Sequence, residues 1–135
     1  MRTITRNPNP PECLADQPAG QDWGTFMETE CHPLVGTSLR TEQQHLCCYC
    51  EAAIAEAGSH IEHMVPRSAN PGHDYDYGNL AASCDGGTVE HCGHFKDNRH
   101  KNPNYMYDGA KFCVPHDPST SRLFRYLPDG DIVPA

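Results

Sequence analysis

The sequence predicts a small α+β domain whose fold is completed by a bound metal ion. With 135 residues, the chain is long enough for one compact domain, or one domain with an extension, and its hydrophobic core must be modest. Its 12 prolines and 11 glycines indicate that much of the backbone is turn and loop. The 8 cysteines offer a second means of holding such a chain together, either as disulfides or as metal ligands.

The start of the chain favours metal binding over disulfides as the role of these cysteines. Residues 1–20 contain no apolar signal segment, and no stretch of the sequence is apolar and long enough to cross a membrane. We therefore expect a cytoplasmic protein with reduced thiols and no membrane partner. The net charge of −8 also opposes tight, unaided binding to nucleic-acid phosphates.

The N-terminal part of the sequence divides into a loop-rich segment and a helix. A proline-rich start predicts that residues 1–36 form a largely loop-like extension. Good helix formers predict a short helix over 37–46, in which Thr41 and Gln44 have the spacing of a capping box. Residues 37–135 are expected to form the folded domain.

Within this domain, strands, loops and short helices are predicted to follow one another. Apolar and β-branched residues predict strands, and clusters of Gly, Pro, Asn and Asp predict turns. In chain order these signals give a strand at 60–65, a loop at 67–78, a short helical or extended piece at 79–83, a helix starting at 93, strands at 110–114 and 122–127, and a C-terminal hairpin turn at 128–132.

Two pairs of cysteines predict a structural zinc site. Cys47 and Cys50 form a C-x-x-C pair, and a tetrahedral zinc site commonly takes two such pairs of ligands. The second pair, Cys84 and Cys92, is more widely spaced and requires an inserted glycine-rich loop. His91 is therefore an alternative ligand.

The other cysteines are weaker candidates for metal binding. Cys48 is adjacent to the first pair; a C-x-C register with Cys50 is conceivable, but a small buried apolar side chain is the more usual role. Four further residues are candidates for a second metal site, although ordinary side chains are the simpler interpretation: Cys31, His32, Cys113 and His116.

A carboxylate next to a histidine, Glu62–His63, is the main candidate for chemistry. Side chains of neighbouring residues on a straight strand face opposite ways, so both serve one site only if the backbone bends at the strand end. Pro66 makes such a bend plausible. An isolated pair of this kind indicates a solvent-facing strand end, but the surrounding cysteines favour a catalytic site. Three further polar residues lie in the same stretch: Asn79, His94 and Lys96.

Several short motifs, in order, resemble a known enzyme family. "CCYCE", "HIEHMVPRS", "NLAASC" and "HCGHFKDN" resemble the signature of HNH endonucleases, which have a zinc-supported, treble-clef-like ββα-metal fold. More closely, "LRTEQQHLCCYCE" and "KFCVPHDPSTSRLFRYLPDGDI" resemble the HNH nucleases associated with retrons and with Septu anti-phage systems. The resemblance covers residues 37–133.

This resemblance implies metal-dependent hydrolysis of phosphodiester bonds in DNA. It makes His63 the general base that takes a proton from the attacking water, and Glu62 a ligand of a catalytic Mg²⁺ or Mn²⁺ ion. Asn79 is implied to hold the loop that carries the histidine, and a helix N-cap is its alternative role.

At the third position of the signature, the sequence departs from the family pattern. Gly93 occupies the slot of the second catalytic metal ligand, and glycine has no side chain to bind metal. His94 is the preferred replacement, with Asp97 or Asn98 as alternatives, and His60 is expected to support the site without binding the metal. Contacts with substrate phosphate are assigned to three basic residues: Lys96, Arg67 and Arg99.

The acidic charge and the resemblance together imply protein partners. Similar systems pair the HNH protein with an ATPase of the SMC-like or ABC-like type, and sometimes with a retron reverse transcriptase. An alternative function is a catalytically inactive zinc-knuckle module used for binding or assembly. The net charge of −8 and Gly93 favour that alternative modestly.

Overall fold

The computed structural model describes residues 2–18, 20–89, 91–97 and 107–135. The helices, in chain order, are α1 (Trp23–Met27), α2 (Cys31–Glu42), α3 (Gly86–Val89) and α4 (Cys92–Lys96). The strands are β1 (Ser59–His63), β2 (Leu80–Cys84), β3 (Phe124–Tyr126) and β4 (Ile132–Pro134). The molecule is therefore a small mixed α/β protein, in agreement with the class predicted from the sequence.

An antiparallel pair of strands, β1 and β2, forms the centre of the fold. Glu62 is opposite Ala81, and His63 is opposite Leu80. The predicted strand at 60–65 is confirmed, and the following "NLAAS" segment is extended from Leu80 onward. The short helices α3 and α4 follow β2 and bring the chain back towards the pair.

Helix α2 packs on this pair through one apolar face. Its buried residues include Cys31, Val35 and Leu39, whose spacing of four places them on the same side of the helix. The helix begins at Cys31 rather than Thr37, because this apolar period extends towards the N-terminus and a proline in the first helical turn is tolerated. The predicted capping box is wrong, because Thr41 lies in the last turn of α2.

The N-terminal segment is part of the core. Trp23 and Phe26 of α1 and the preceding Leu14 are buried in one cluster with residues of α2, so this mostly loop-like segment contributes to the core. The proposed boundary at residue 37 lies within α2. A disulfide joins Cys13 to Cys31, which contradicts the expectation of reduced thiols for these two residues.

Side chains of the strand pair alternate between two hydrophobic clusters. Leu80 and Ala82 face the larger cluster with α1 and α2, whereas Ala81 faces a smaller cluster with Met64 and Cys48. Residues from the C-terminal part of the chain, including Phe112 and Val114, pack against the smaller cluster. The strand pair is therefore covered on both faces.

The C-terminal part of the chain confirms one sequence prediction and corrects another. Strands β3 and β4 form an antiparallel hairpin whose turn contains Gly130 at φ +94°. The strand predicted at 110–114 is absent, because Asp108 accepts hydrogen bonds from the backbone of Ala110 and Phe112 and forms a turn instead. No described helix has the length and apolar character needed to span a bilayer.

Candidate active site and metal centres

Four cysteine sulfurs converge at one end of the strand pair. All four lie within 4.8 Å of one another, and the distances are 3.9 Å from Cys47 to Cys92 and 3.8 Å from Cys50 to Cys84. A tetrahedral zinc with Zn–S bonds of about 2.3 Å holds its sulfurs roughly 3.8 Å apart. The cluster can therefore hold a structural metal ion, and its dimensions suit zinc.

The local backbone explains how this cluster forms. The backbone N–H groups of Tyr49 and Cys84 donate to Cys47 Sγ over 3.5 and 3.3 Å, which is how a metal-binding knuckle surrounds its sulfur. The inserted loop turns at Gly86, whose φ is +65° and where a Cβ would lie 2.2 Å from the carbonyl oxygen of His91. Only glycine fits there, so the glycine-rich insertion allows Cys92 to return to the cluster.

Hydrogen bonding favours the thiolate form of one of these ligands. The Cys48 thiol lowers the pKa of Cys47 most strongly; burial opposes this, and backbone N–H groups including that of Cys84 lower the pKa further. Cys48 itself is buried in the smaller hydrophobic cluster and is not one of the four convergent sulfurs. The alternative ligand His91 places its Nδ1 3.1 Å from Cys92 Sγ, beside the cluster.

The second metal site suggested by the sequence is not formed by its four candidates. Cys31 is bonded to Cys13, so it is not available as a ligand. His116 Nδ1 lies 3.1 Å from the Arg6 guanidinium. Burial first, and this arginine second, lower the pKa of His116 to about 4.

A polar cleft of about 280 Å³ opens beside β1. Its wall contains residues from α1, from β1 and the loop that follows it, and from α4. The residues lining it are Trp23, His60, Ile61, Glu62, His63, Arg67, Gly93, His94 and Asp97. The cleft therefore brings together Glu62, His63 and His94, which the sequence analysis selected as the base and the metal ligands.

Glu62 is a buried carboxylate, and one of its two oxygens is held by neighbouring side chains. Its Oε1 accepts a hydrogen bond of 2.8 Å from the Tyr49 hydroxyl and lies 3.0 Å from Lys96 Nζ. Burial raises the pKa of Glu62, but His60, Lys96 and Tyr49 together outweigh it and the net pKa is lowered. Glu62 is therefore ionised, and its Oε2 is not used by Tyr49 or Lys96.

Lys96 lies inside the molecule rather than on a phosphate-binding surface. Its side chain is only 9% exposed, and Nζ contacts Glu62, Asp97 and the backbone carbonyl oxygens of His63 and Met64. The ammonium group of Lys96 therefore balances the negative charge of the buried Glu62 carboxylate. The lysine therefore has a place in the site, but not the exposed one that the sequence suggested.

His63 is buried and held in one tautomer. Its Nε2 lies 2.9 Å from the carbonyl oxygen of Asp74, which can only accept, so Nε2 carries the hydrogen and Nδ1 keeps its lone pair. The Trp23 ring packs edge-on against the imidazole at a centroid distance of 4.3 Å. Burial, with a smaller effect from Arg67, lowers the pKa of His63, so the ring is neutral at neutral pH.

Asn79 fixes the backbone just beyond His63. Its Oδ1 accepts from the backbone N–H of Val65 over 2.8 Å, and its Nδ2 donates to the Val65 carbonyl oxygen over 3.0 Å. Both hydrogen bonds hold the chain where it leaves β1, and this turn lets neighbouring Glu62 and His63 line one cleft. Asn79 precedes strand β2, so its alternative role as a helix N-cap is wrong.

A second group of residues that could hold a metal lies at the rim of the cleft. His60, Asp85 and His94 each present a ligand atom, and these atoms lie within 4.8 Å of one another. The two imidazole rings stack at 3.7 Å, and Asp85 Oδ1 lies 3.1 Å from His60 Nδ1 and 3.6 Å from His94 Nε2. Burial lowers the pKa of His60, but the Glu62 and Asp85 carboxylates raise it to a greater extent.

The remaining site predictions have different outcomes. Arg67 lies at the cleft with its guanidinium carbon 5.8 Å from the centre of the Trp23 ring. Asp97 also lines the cleft and contacts Lys96. Asn98 and Arg99 lie outside the described residues.

Sequence reasoning missed four contributors to the site. These are Trp23, Tyr49, Asp74 and Asp85. Asp74 acts through its backbone carbonyl, which no side-chain motif reveals. For Tyr49, the signal in the sequence is its place between Cys47 and Cys50, the first two cysteines of the cluster.

The chain is similar to a curated protein of Vibrio cholerae serotype O1 biovar El Tor, "Retron Vc95 putative HNH endonuclease", at 31% identity over 106 residues. This chain is therefore similar to a protein that is named for a retron and for the HNH endonuclease family. The comparison confirms the family resemblance carried by the motifs. The match covers 75% of this chain and 47% of the relative, so the chain spans about half the length of that protein. No protein-family model matches the chain.

Proposed function

We propose that this protein is a metal-dependent HNH endonuclease with a ββα-metal site formed by β1, β2 and α4. The observation that carries the proposal is the pairing, in one cleft, of a neutral histidine with an ionised carboxylate. His63 keeps an unprotonated Nδ1, and Glu62 keeps one carboxylate oxygen that neither Tyr49 nor Lys96 uses. A general base beside a metal ligand is what hydrolysis of a phosphodiester requires.

The donor set of the cleft fits a divalent cation. A buried carboxylate, a second carboxylate and two imidazoles suit Mg²⁺ or Mn²⁺, with Mn²⁺ the better match to nitrogen ligands. Glu62 is the ligand that the family pattern suggests, and His94 is the replacement preferred from the sequence for the ligand missing at Gly93; both line the cleft. When bound, such an ion neutralises charge that develops on the phosphate and on the leaving oxygen. The four cysteines at the end of the strand pair are proposed to hold a structural Zn²⁺.

The residues of this chain orient the water and accept its proton. His63 Nδ1 takes the proton as the water oxygen attacks phosphorus and the bond to the 3′ oxygen breaks. The leaving 3′ oxygen takes a proton from solvent water, which leaves 5′-phosphate and 3′-hydroxyl ends. The Asp74 carbonyl keeps the imidazole in the tautomer that can do this, and the Trp23 ring limits its rotation. Asn79 holds the backbone that presents the histidine.

The proposed biological setting is an anti-phage defence complex in the cytoplasm that acts on DNA. The relative's name connects it with a retron, and the net charge of −8 implies that the nuclease needs a partner to approach DNA. An SMC-like or ABC-like ATPase is the proposed partner, with a retron reverse transcriptase as a further one. Copurification of such an ATPase would support this, whereas strong binding of the isolated chain to duplex DNA at moderate salt would contradict it.

A second candidate function is an inactive zinc-knuckle assembly module. Two observations favour it: Gly93 at the slot of a catalytic ligand, and the acidic charge. In that case Glu62 and His63 serve only the stability of the fold.

Nicking of supercoiled plasmid in Mg²⁺, Mn²⁺ or EDTA separates the two candidates. We expect cleavage by the protein, alone or with its ATPase partner, in either cation and none in EDTA. His63→Ala is expected to abolish cleavage at unchanged zinc content. His45→Asn is the matched control, because His45 is exposed and does not line the cleft. Equal cleavage by His63→Ala and the control would refute the enzymatic role of His63.

A further inference from the structure

Gly93 stands where the family has the second catalytic metal ligand, and the space that its side chain would need is occupied by other side chains. A Cβ added at Gly93 would lie 2.5 Å from Glu62 Oε2 and 2.7 Å from His60 Nε2. Both distances are shorter than real side-chain contacts allow, so no side chain fits at position 93 in this arrangement. The space is taken by the carboxylate of Glu62 and the imidazole of His60.

The imidazole in this space has an unused nitrogen. His60 Nε2 is buried and has no hydrogen-bond partner among the described residues. It faces Glu62 Oε2 at 3.6 Å, which is too long for an ordinary hydrogen bond. A buried nitrogen without a partner is costly, and its position beside an ionised carboxylate gives two ligand atoms suited to a cation.

We propose that His60 Nε2 is the catalytic metal ligand that replaces the absent side chain at position 93, with Glu62 Oε2 as its neighbour. The assignment rests on the proposed function of the cleft as a divalent metal site. Ligands of such an ion at about 2.1 Å can be separated by at most about 4.2 Å. The 3.6 Å between the two atoms is within this limit, so an ion can bridge them with little rearrangement.

The surroundings of His60 suit a metal ligand. Its Nδ1 donates to Asp85 Oδ1 over 3.1 Å, which fixes the tautomer that leaves the Nε2 lone pair for a metal. His94 stacks on the ring at 3.7 Å and also approaches Asp85, so it restrains the plane of the imidazole. In this assignment Asp85 and His94 are positioning residues, and the ligand comes from strand β1 instead of helix α4.

A different placement of the ion is possible with the same residues. His60 Nδ1, Asp85 and His94 together also form a group that could hold a metal. That placement does not need Glu62, whereas the proposed one depends on Glu62 and much less on His94. Single substitutions at these two residues therefore distinguish the two placements.

The test is Mn²⁺ binding to the zinc-loaded full chain, measured by electron paramagnetic resonance and by calorimetry. We expect His60→Ala and Glu62→Gln to weaken Mn²⁺ binding at least tenfold, and His94→Phe, which retains the stacking, to change it less than threefold. Wild-type affinity in His60→Ala would overturn the proposal. So would a large loss in His94→Phe with little change in Glu62→Gln, because the ion would then lie at the rim.

A second variant keeps the test valid if His60→Ala folds poorly. Gly93→Ala introduces only the Cβ that meets His60 Nε2 and Glu62 Oε2. It is expected to weaken Mn²⁺ binding at least tenfold by separating these two ligands, at unchanged zinc content. Gly109→Ala is the matched control, because the nearest atom to its added Cβ is the Tyr107 hydroxyl at 3.3 Å, and Gly109 lies outside the cleft. Undiminished Mn²⁺ affinity in Gly93→Ala would count against the assignment.

Plasmid nicking separates this inference from the proposed function. Wild-type protein that nicks DNA while His60→Ala retains full Mn²⁺ affinity would refute the ligand assignment and leave the nuclease in place. Wild-type protein that binds Mn²⁺ through His60 but does not nick DNA with its partner would refute the nuclease and leave the ligand assignment in place. Absence of Mn²⁺ binding by the wild type would refute both.

Discussion

Tyr49→Phe is the most informative single change, because it removes one hydroxyl that connects the cysteine cluster to the buried carboxylate of Glu62. Tyr49 lies between two cysteines of the metal cluster, and its hydroxyl donates to Glu62 Oε1 over 2.8 Å. Burial, with a contribution from Glu62, raises the pKa of Tyr49 well above its ordinary value, so the hydroxyl remains a donor. The phenyl ring of the variant fills the same space without that donor.

The size of the effect of Tyr49→Phe depends on the donors that still contact the Glu62 carboxylate. A hydrogen bond to a charged group contributes about 1.5–3 kcal/mol. Lys96 Nζ still contacts the same oxygen at 3.0 Å, so we expect the lower end, about 1.5 kcal/mol. That energy corresponds to roughly a tenfold loss of Mn²⁺ affinity at pH values low enough for protonation of Glu62 to compete with the metal.

Tyr49→Phe is also expected to shift the pH dependence of Mn²⁺ binding in a definite direction. The Tyr49 hydroxyl is one of the groups that lower the pKa of Glu62, so its removal raises that pKa. The carboxylate is then protonated at a higher pH, and the acidic limb of Mn²⁺ binding moves to higher pH. Tyr126→Phe is the matched control, because Tyr126 is exposed on the C-terminal hairpin. Identical Mn²⁺ affinity and pH profile in Tyr49→Phe and wild type would refute this reasoning.

Three further predictions address stability and titration. Lys96→Met leaves Glu62 charged and buried without its cation, so urea unfolding is expected to show a loss of about 3–5 kcal/mol, and a loss below about 1 kcal/mol would contradict the burial of this pair. Because burial lowers the pKa of His63, the folded state favours the neutral imidazole. The free energy of unfolding is therefore expected to be unaffected by this group above pH 6.5, the ordinary pKa, and to fall as the pH falls below it. This pH dependence should be absent in His63→Ala. Replacement of Cys13 and Cys31 by Ser is expected to lower the free energy of unfolding under oxidising conditions by about 2–4 kcal/mol, and no change would show that the bond is not formed in solution.

The sequence revealed those parts of the site that depend on short spacing. Cys47 and Cys50 lie in one turn, and Glu62 and His63 are adjacent, so their chemistry is visible without knowledge of the fold. The helix start at Cys31 was missed because helix-former propensity describes 37–46 well, whereas the core contacts that extend α2 are tertiary.

The parts that escaped prediction depend on packing between distant segments. Lysine is usually a surface residue, and Lys96 contacts Glu62 only because α4 lies against β1. Trp23 lies far from His63 in the chain and contacts it only because α1 packs into the core. The role of His60 depends on the absence of a Cβ at Gly93, which is a matter of tertiary distance.

The protonation state of His63 tests the central claim most directly. Nitrogen-15 NMR of histidine-labelled protein at pH 7, assigned with His63→Ala, reports which ring nitrogen carries the hydrogen. We predict a neutral ring with hydrogen on Nε2 and none on Nδ1, because Nε2 donates to the Asp74 carbonyl. A ring protonated on both nitrogens, or one with hydrogen on Nδ1 alone, would leave Nδ1 unable to accept a proton and would contradict the proposed mechanism.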